Sequence, residues 1–375
     1  VVGRSIGRLV GKKVLEKYPH LQEIHGYQLN DFGAIVAAAC LSHDIGNPPF
    51  GHSGEKAIGE YFSSGSGQKY KSQVSEKEWQ DIVDFEGNAN GFSILTSSRE
   101  GVEGALRLSY ATLGTFMKYP KESLPKKPTS NICDKKYGFF QQDKKFFQEV
   151  AAELGMISNK TNPDVGYFRH PLAFLVEAAD DICYTIIDFE DGIKLGLINE
   201  DFALEYLIKL VQKSIDSKKY NELKTKEDRI SYLRALAIGS LINDAVSIFM
   251  ENESDILKGE FSVSLMDKSQ YKAQISDIIN ISVKNIYQSK EVIEKEIIGY
   301  KVIHTLLDVF TNAYINTSNN SATNHDKLIM NILLEKYKSN KETMYDKLLN
   351  ICQFISLLTD GKAIEIYKII NATKI

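Results

Sequence analysis

The most informative stretch of the sequence is His43-Asp44-Ile45-Gly46-Asn47-Pro48-Pro49-Phe50-Gly51-His52-Ser53-Gly54-Glu55. It places two histidines and two carboxylates in a turn rich in glycine and proline. The segment just before it, 32–41, is rich in Ala, Ile and Val and predicts a buried helix that ends at the His-Asp pair. A rigid helix followed by a stiff turn therefore holds side chains of the types that bind metals or transfer protons, which indicates a functional site.

The composition restricts the class of protein. With 375 residues, 43% of them hydrophobic and 25% charged, the chain can bury a large core as one domain or two closely packed ones. A formal charge of −4 excludes a global basic field, so any nucleotide or nucleic-acid contact must be local. The four cysteines form no Cys-x-x-Cys pair, which argues against a zinc ribbon and a disulfide framework. Without a signal peptide or a long apolar run, we expect a cytoplasmic protein that makes no membrane contact.

Helical periodicity recurs along the whole chain. Residues 6–15 form an amphipathic pattern, 52–62 a short helix, and 172–192 a long helix with acids among apolar residues. After about residue 200 the helical patterns continue, for example at 232–250 and 291–312. No series of alternating residues predicts a sheet, so we expect an all-α fold with at most a small β-hairpin within 60–145.

The pair His43-Asp44 is the first candidate for metal binding. An imidazole and a carboxylate on successive residues can both reach one divalent ion where a helix ends. The same pair is also typical of a helix C-terminus beside a surface aspartate, so it is weak evidence alone. His52 and Glu55, three residues apart on a helix, form a candidate acid-base pair, although such pairs also arise by chance on exposed helices.

A second cluster lies on the long helix. Asp180, Tyr184 and Asp188 are spaced by four residues and therefore share one helix face. The alternative is a solvated acidic surface, but the neighbouring residues leave almost no polar face free. Carboxylates in apolar surroundings usually bind a partner, so this helix face is more typical of a binding site than of a solvated surface.

Four further motifs accompany the turn in sequence order: Phe85-Glu86-Gly87-Asn88-Ala89, Lys118-Tyr119-Pro120, Arg169-His170-Pro171-Leu172 and Glu177-Ala178-Ala179-Asp180-Asp181-Ile182. Together they resemble the bacterial dGTP triphosphohydrolases (dGTPases) of the HD superfamily. The match covers about residues 1–200, with looser helical similarity beyond. The resemblance implies an HD-type phosphohydrolase core at 1–200 and a helical C-terminal region, 201–375, packed on it.

The resemblance also implies roles for individual residues. One divalent ion (Mn, Mg, Fe, Zn or Ni) would be held by His43, Asp44 and Asp180 together with a first His in a segment that we expect to precede Val1. The catalytic pair would be His52 and Glu55. Asn88, Lys118, Tyr119 and Lys136 would lie near the triphosphate, and Tyr184 and Asp188 near the 3′-hydroxyl of the sugar.

The implied activity is hydrolysis of dGTP, or of other dNTPs, to deoxynucleoside and tripolyphosphate. Members of the family assemble into homo-oligomers, so we expect a dimer, tetramer or hexamer, with single-stranded DNA as a candidate effector. Asn90 and Ser93 stand where the family pattern has Gln and Arg. Phosphate or base contacts at these two positions therefore stay open.

Two alternatives differ in class from a dGTPase. An HD-type phosphohydrolase acting on nucleoside monophosphates or signalling nucleotides would share the His-Asp ligands without needing the Asp180, Tyr184 and Asp188 face. The second alternative is a regulator that has lost catalytic activity and binds nucleotide or nucleic acid. The lysines within 121–145 would then contact the phosphate backbone of a single strand.

Overall fold

The computed structural model describes residues 1–98, 106–159, 166–337 and 343–372. These residues form eighteen α-helices: α1 Val2–Lys17, α2 His20–Glu23, α3 Leu29–Ser42, α4 Gly51–Ser63, α5 Glu76–Val83, α6 Gly87–Thr96, α7 Tyr110–Phe116, α8 Lys144–Glu153, α9 Ala173–Lys194, α10 Glu200–Val211, α11 Ser217–Glu222, α12 Lys226–Glu251, α13 Glu253–Lys258, α14 Lys272–Ser282, α15 Lys290–Ser318, α16 Asn324–Met330, α17 Met344–Ser356 and α18 Asp360–Ile370. A π-helix, Val283–Tyr287, follows α14 directly.

The prediction of an all-α fold is confirmed. Helix accounts for 71% of the structure and strand for 1%, with no sheet in the part of the chain described. In place of a β-hairpin, the described residues contain two isolated antiparallel bridges, Lys121 with Gly166 and Ser158 with Tyr167. Each helix predicted from periodicity is present, and the helix before the turn, α3, ends at Ser42 with His43 as its C-cap.

Small residues bring α1 and α3 together. Gly3, Gly7 and Gly11 follow one another at intervals of four and so share one face of α1. A Cβ atom at Gly7 would lie 2.7 Å from the carbonyl oxygen of Phe32, and one at Gly11 would lie 2.8 Å from its side chain. The two helices can therefore pack almost backbone to backbone, which fixes the end of α3 where His43 lies.

The buried apolar side chains form two clusters. The first lies among α1, α3, α9, α10, α12 and α14 and contains Ile182, Phe189 and Leu241. The second lies among α4, α5, α15, α17 and α18 and contains Phe62 and Phe310. Both draw residues from either side of residue 200, and the predicted boundary there stays a prediction.

One helix of the described residues, α12, is long and apolar enough to cross a membrane by length and composition. Of its most apolar window, 44% is buried inside the protein, where the helix packs on α9 and α10. Core helices of soluble proteins pass the same test of length and composition.

Candidate active site

The predicted metal ligands meet where α3 ends beside the middle of α9. The Nδ1 atom of His43 donates a hydrogen bond to the Cys40 carbonyl oxygen at 2.7 Å, which directs Nε2 away from its own helix. Nε2 lies 3.1 Å from Oδ2 of Asp44 and 3.1 Å from Oδ1 of Asp180. One imidazole and two carboxylates from distant parts of the sequence thus form one cluster.

The charges in this cluster are balanced by hydrogen bonds. Those to Asp180 and Asp44 raise the pKa of His43 to about 10. Burial opposes ionisation of Asp180, but the hydrogen bond from His43 and the ammonium of Lys118, 2.7 Å away, hold the pKa of Asp180 below its usual range. With Lys118 included, an imidazole and an ammonium group therefore face the two carboxylates.

The donor set of this cluster suits a divalent ion. Imidazole nitrogen and carboxylate oxygen are ligands that bind Mn, Fe, Zn or Mg. As the side chains stand, however, no group of three or more His, Cys, Asp and Glu in the described residues is arranged to hold a metal ion.

The predicted acid-base pair, His52 and Glu55, lies at the start of α4. Two residues with positive φ, Phe50 at 65° and Gly51 at 57°, turn the chain into this helix. The Nδ1 atom of His52 lies 2.7 Å from Oε2 of Glu55, and the backbone N–H of Gly87 donates to Oε1 at 2.6 Å. Glu55 is 8% exposed, whereas the side chain of His52 is 73% exposed. A buried carboxylate therefore fixes an imidazole ring that is largely exposed.

The same contact sets the proton affinity of both partners. The hydrogen bond to Glu55 raises the pKa of His52. Burial alone would raise the pKa of Glu55, but the hydrogen bond from His52 and the charge of Lys136 lower it. The pair consequently favours an imidazolium beside a carboxylate.

Asn88 and Lys136, both predicted to lie near the triphosphate, are joined by Glu86. Oε1 of Glu86 accepts from Nζ of Lys136 at 2.9 Å and from Nδ2 of Asn88 at 2.7 Å. Burial, followed by the charge of Glu55, raises the pKa of Glu86. The sequence analysis did not assign Glu86 to the site, although it lies inside the motif that contains Asn88.

The ion pair of Arg169 and Glu177 contacts both Lys118 and Tyr119. The sequence analysis did not assign this ion pair to the site. Arg169 donates two hydrogen bonds to Glu177, at 2.6 and 3.0 Å, and its Nε donates to the carbonyl oxygen of Lys118 at 2.6 Å. The guanidinium also lies 5.5 Å from the centre of the Tyr119 ring. Lys118 reaches Asp180, whereas Tyr119 is only 8% exposed and lies against Arg169.

Tyr184 and Asp188 share the α9 face of Asp180, as predicted. The Tyr184 ring is 44% exposed and stacks on Tyr287, with centroids 5.2 Å apart and planes within 6°. The Tyr287 hydroxyl donates a hydrogen bond to Asp188. Tyr287 comes from the π-helix, and no pattern in the sequence pointed to it.

Asn90 and Ser93 lie in the interior. Asn90 is 0% exposed, and its Nδ2 donates to the carbonyl oxygen of Gly46 at 2.8 Å. Ser93 is 3% exposed, and its Oγ accepts from the side-chain amides of Gln353 and Gln142. In this structure both side chains therefore bind protein groups, and Asn90 supports the turn that carries His43 and His52.

No family model matches the chain. A deoxyguanosinetriphosphate triphosphohydrolase-like protein of Synechocystis sp. is 36% identical over 378 residues, which cover 98% of this chain and 82% of the relative. A protein of the same description from Pseudomonas aeruginosa is 33% identical over 371 residues, 97% of this chain and 82% of the relative. The deoxyguanosinetriphosphate triphosphohydrolase of Yersinia pseudotuberculosis is 29% identical over 357 residues, 82% of this chain and 68% of the relative.

Proposed function

Because the chain belongs to the deoxyguanosinetriphosphate triphosphohydrolase family, we propose that it hydrolyses dGTP, or another dNTP, to deoxynucleoside and tripolyphosphate. The observation that supports this activity best is a largely exposed histidine, oriented by buried Glu55, in the same turn as the imidazole-carboxylate cluster. Lysines reach both groups: Lys118 binds Asp180, and Lys136 binds Glu86 beside Glu55. A polyanionic substrate would find acid-base and cationic groups side by side.

His43, Asp44 and Asp180 would hold one divalent ion in the working enzyme. The Nδ1–H bond to Cys40 supports this role, because it fixes the tautomer that leaves the Nε2 lone pair free when His43 is neutral. When bound, a divalent ion supplies positive charge that polarises phosphate oxygens.

His52 would be the general acid of the reaction. Water adds at the α-phosphorus, the bond from this phosphorus to the 5′-oxygen breaks, and Nε2 of His52 gives its proton to that oxygen as the deoxynucleoside leaves. The proton that the attacking water loses passes to solvent, and His52 takes up a proton again before the next turnover. Glu55 orients the ring and stabilises its protonated form, so the pKa of His52 is raised and the acid keeps its proton to higher pH than an ordinary histidine. Positioned acid catalysis of this kind contributes roughly 10²- to 10⁴-fold.

Lys118, Lys136 and Asn88 would bind the triphosphate. An ammonium has three N–H donors, so each lysine can keep its carboxylate partner and still donate to a phosphate oxygen. Hydrogen bonds between ammonium and phosphate are charge-assisted and stronger than neutral ones. Glu86 would hold Lys136 and Asn88 at a fixed separation before the substrate arrives.

Tyr184 and Asp188 would bind the deoxyribose. The Asp188 carboxylate accepts a hydrogen bond from the 3′-hydroxyl, and the Tyr184 ring covers the sugar. A ribose 2′-hydroxyl would meet the ring without a hydrogen-bond partner, which disfavours ribonucleotides.

Product analysis tests the proposed activity. The full-length protein is incubated with each of the four dNTPs and Mn²⁺ or Mg²⁺, and products are separated by anion-exchange chromatography. We expect tripolyphosphate and deoxynucleoside in equal amounts; release of orthophosphate or pyrophosphate would instead indicate another phosphohydrolase. His52→Ala should lower kcat by roughly 10²- to 10⁴-fold, whereas His20→Ala, at an exposed position of α2, should leave it unchanged.

A further inference from the structure

Tyr287 makes two contacts with the face of α9 that carries Tyr184 and Asp188. Its hydroxyl donates a hydrogen bond to Oδ2 of Asp188, and its ring stacks on the ring of Tyr184 with the two planes nearly parallel. Tyr287 itself is half-buried. It lies 99 residues after Asp188 in the chain and reaches it through the tertiary fold alone.

We propose that Tyr287 is a positioning residue that orients the Asp188 carboxylate to accept the 3′-hydroxyl of the substrate. The proposal rests on the proposed function, since it concerns the sugar end of the same site. The substrate class that it selects is nucleotides with a free 3′-hydroxyl.

A carboxylate can accept hydrogen bonds from Tyr287 and from a substrate hydroxyl at the same time. Its two oxygens together accept about four hydrogen bonds. The Tyr287 hydroxyl occupies one position on Oδ2, which fixes the rotation of the carboxylate and leaves Oδ1 free for a second hydroxyl. The Tyr184 ring restricts Tyr287 on its other side, so the phenol hydroxyl has little freedom to leave Asp188.

The backbone that carries Tyr287 is itself held against α9. Ile286, the preceding residue of the π-helix, packs on Gly192, one helical turn beyond Asp188. A Cβ atom at Gly192 would lie 2.5 Å from Cδ1 of Ile286, so the Ile286 side chain lies directly against α9 at this position. Short π-helical segments occur frequently at functional sites. This packing helps to position the Tyr287 hydroxyl opposite Asp188 along the axis of α9.

A preorganised carboxylate lowers the ordering cost of binding the sugar. Removing the Tyr287 hydroxyl should weaken binding of a substrate that has a 3′-hydroxyl. It should have little effect on a substrate that lacks one. This difference separates positioning of Asp188 from a general structural role, which would affect both substrates equally.

The test compares Tyr287→Phe with the wild type by calorimetric titration. The ligands are the dNTP that the wild type binds most tightly and its 2′,3′-dideoxy counterpart. We expect the wild type to bind the dNTP more tightly, and the variant to lose about tenfold in affinity for the dNTP but less than twofold for the dideoxy compound. In turnover assays the KM for the dNTP should rise while kcat changes little.

Tyr300→Phe is the matched control, because the Tyr300 hydroxyl also donates to a carboxylate, that of Glu60, outside this site. It should bind both ligands like the wild type. Equal losses on the two ligands in Tyr287→Phe, tighter dNTP binding by that variant, or a wild type that does not distinguish the ligands would each overturn the proposal. Absence of tripolyphosphate release with an intact preference in binding would contradict the proposed function alone.

Discussion

At the residue scale, the buried carboxylate of Glu55 joins two elements of the candidate site. One of its oxygens orients His52, and the other accepts from the backbone of Gly87 at the start of α6. It thus fixes both the imidazole and the element that carries Asn88. The imidazole of His52 is exposed and the carboxylate of Glu55 is buried. This arrangement is expected when a buried carboxylate orients an imidazole that donates a proton to a substrate.

Glu55→Gln should change both the rate and the pH dependence of turnover. His52 and Gly87 contact different oxygens of Glu55, and a carboxamide places an acceptor at only one of these two positions. The hydrogen bond to Glu55 raises the pKa of His52, so the protonated acid persists to higher pH in the wild type. Losing the carboxylate lowers that pKa. The alkaline limb of the kcat profile should therefore move to lower pH, with kcat reduced roughly 10-fold or more.

Steady-state kinetics between about pH 5 and pH 10 measure this shift, bracketing the ordinary histidine pKa. The control is Glu60→Gln, which changes an exposed carboxylate on the same helix. An alkaline limb that stays in place in Glu55→Gln would show that His52 is not the acid whose ionisation is observed.

At the scale of elements, the turn after α3 packs backbone to backbone on α6. A Cβ atom at Gly46 would lie 2.1 Å from the carbonyl oxygen of Gly87 and 2.1 Å from the amide nitrogen of Gly91. The side chain of Asn90 ties the same two elements together through the Gly46 carbonyl. This close packing sets the separation between His43 and the Glu55–Gly87 contact.

Gly46→Ala should destabilise the protein and disrupt the site. The added methyl group would clash with backbone atoms, which cannot rotate away as a side chain can. Such overpacking typically lowers the free energy of unfolding by about 1–3 kcal/mol or more. Chemical denaturation should show a lower midpoint, and kcat should fall because His43 and His52 are displaced relative to one another.

Gly239→Ala provides the comparison for this substitution. Gly239 lies inside α12, and a Cβ atom there would have no neighbour within 4 Å. The alanine should stabilise the helix by about 0.5–1 kcal/mol. A Gly46→Ala variant as stable as the wild type would contradict the close approach of the turn to α6.

Across the whole molecule, the C-terminal helices support the turn of His43 to Glu55. Nε2 of His304 on α15 lies 2.9 Å from the Ala57 carbonyl oxygen of α4, and Asp360 of α18 accepts from the backbone N–H of Phe50 at 2.9 Å. Gly299 of α15 provides space for the Phe50 ring, since a Cβ atom there would lie 2.6 Å from it. The position of His52 therefore depends on residues more than 240 positions away in the sequence.

Phe310→Ala tests this dependence. Phe310 is 0% exposed in the second apolar cluster, with its ring 5.1 Å from that of Phe354. Truncating such a buried aromatic side chain costs about 3–5 kcal/mol. We expect a lower midpoint of thermal unfolding and loss of activity at temperatures where the wild type stays active.

Phe202→Ala serves as its control because Phe202, on α10, is 44% exposed. That variant should change the unfolding midpoint far less. Similar destabilisation by both substitutions would count against α15 as the support of α4.

The sequence by itself determined the helical class, the main helices and most of the candidate site. Helical periodicity survives in any fold that buries one face of each helix, so α3, α4, α9, α12 and α15 could all be predicted. The spacing of Asp180, Tyr184 and Asp188 on one face followed from helix geometry alone. His52 and Glu55 could be paired for the same reason, being three residues apart on one helix.

Only the tertiary structure decided which distant residues complete these groups. Glu86 between Asn88 and Lys136, the Arg169–Glu177 pair behind Lys118, and Tyr287 on Asp188 all depend on side chains brought together by packing. No local period encodes such contacts, because they join elements whose separation in the chain is unrelated to their separation in space. The turn of His43 to Glu55 carries its chemistry in its sequence, but its geometry is fixed by α6, α15 and α18 around it.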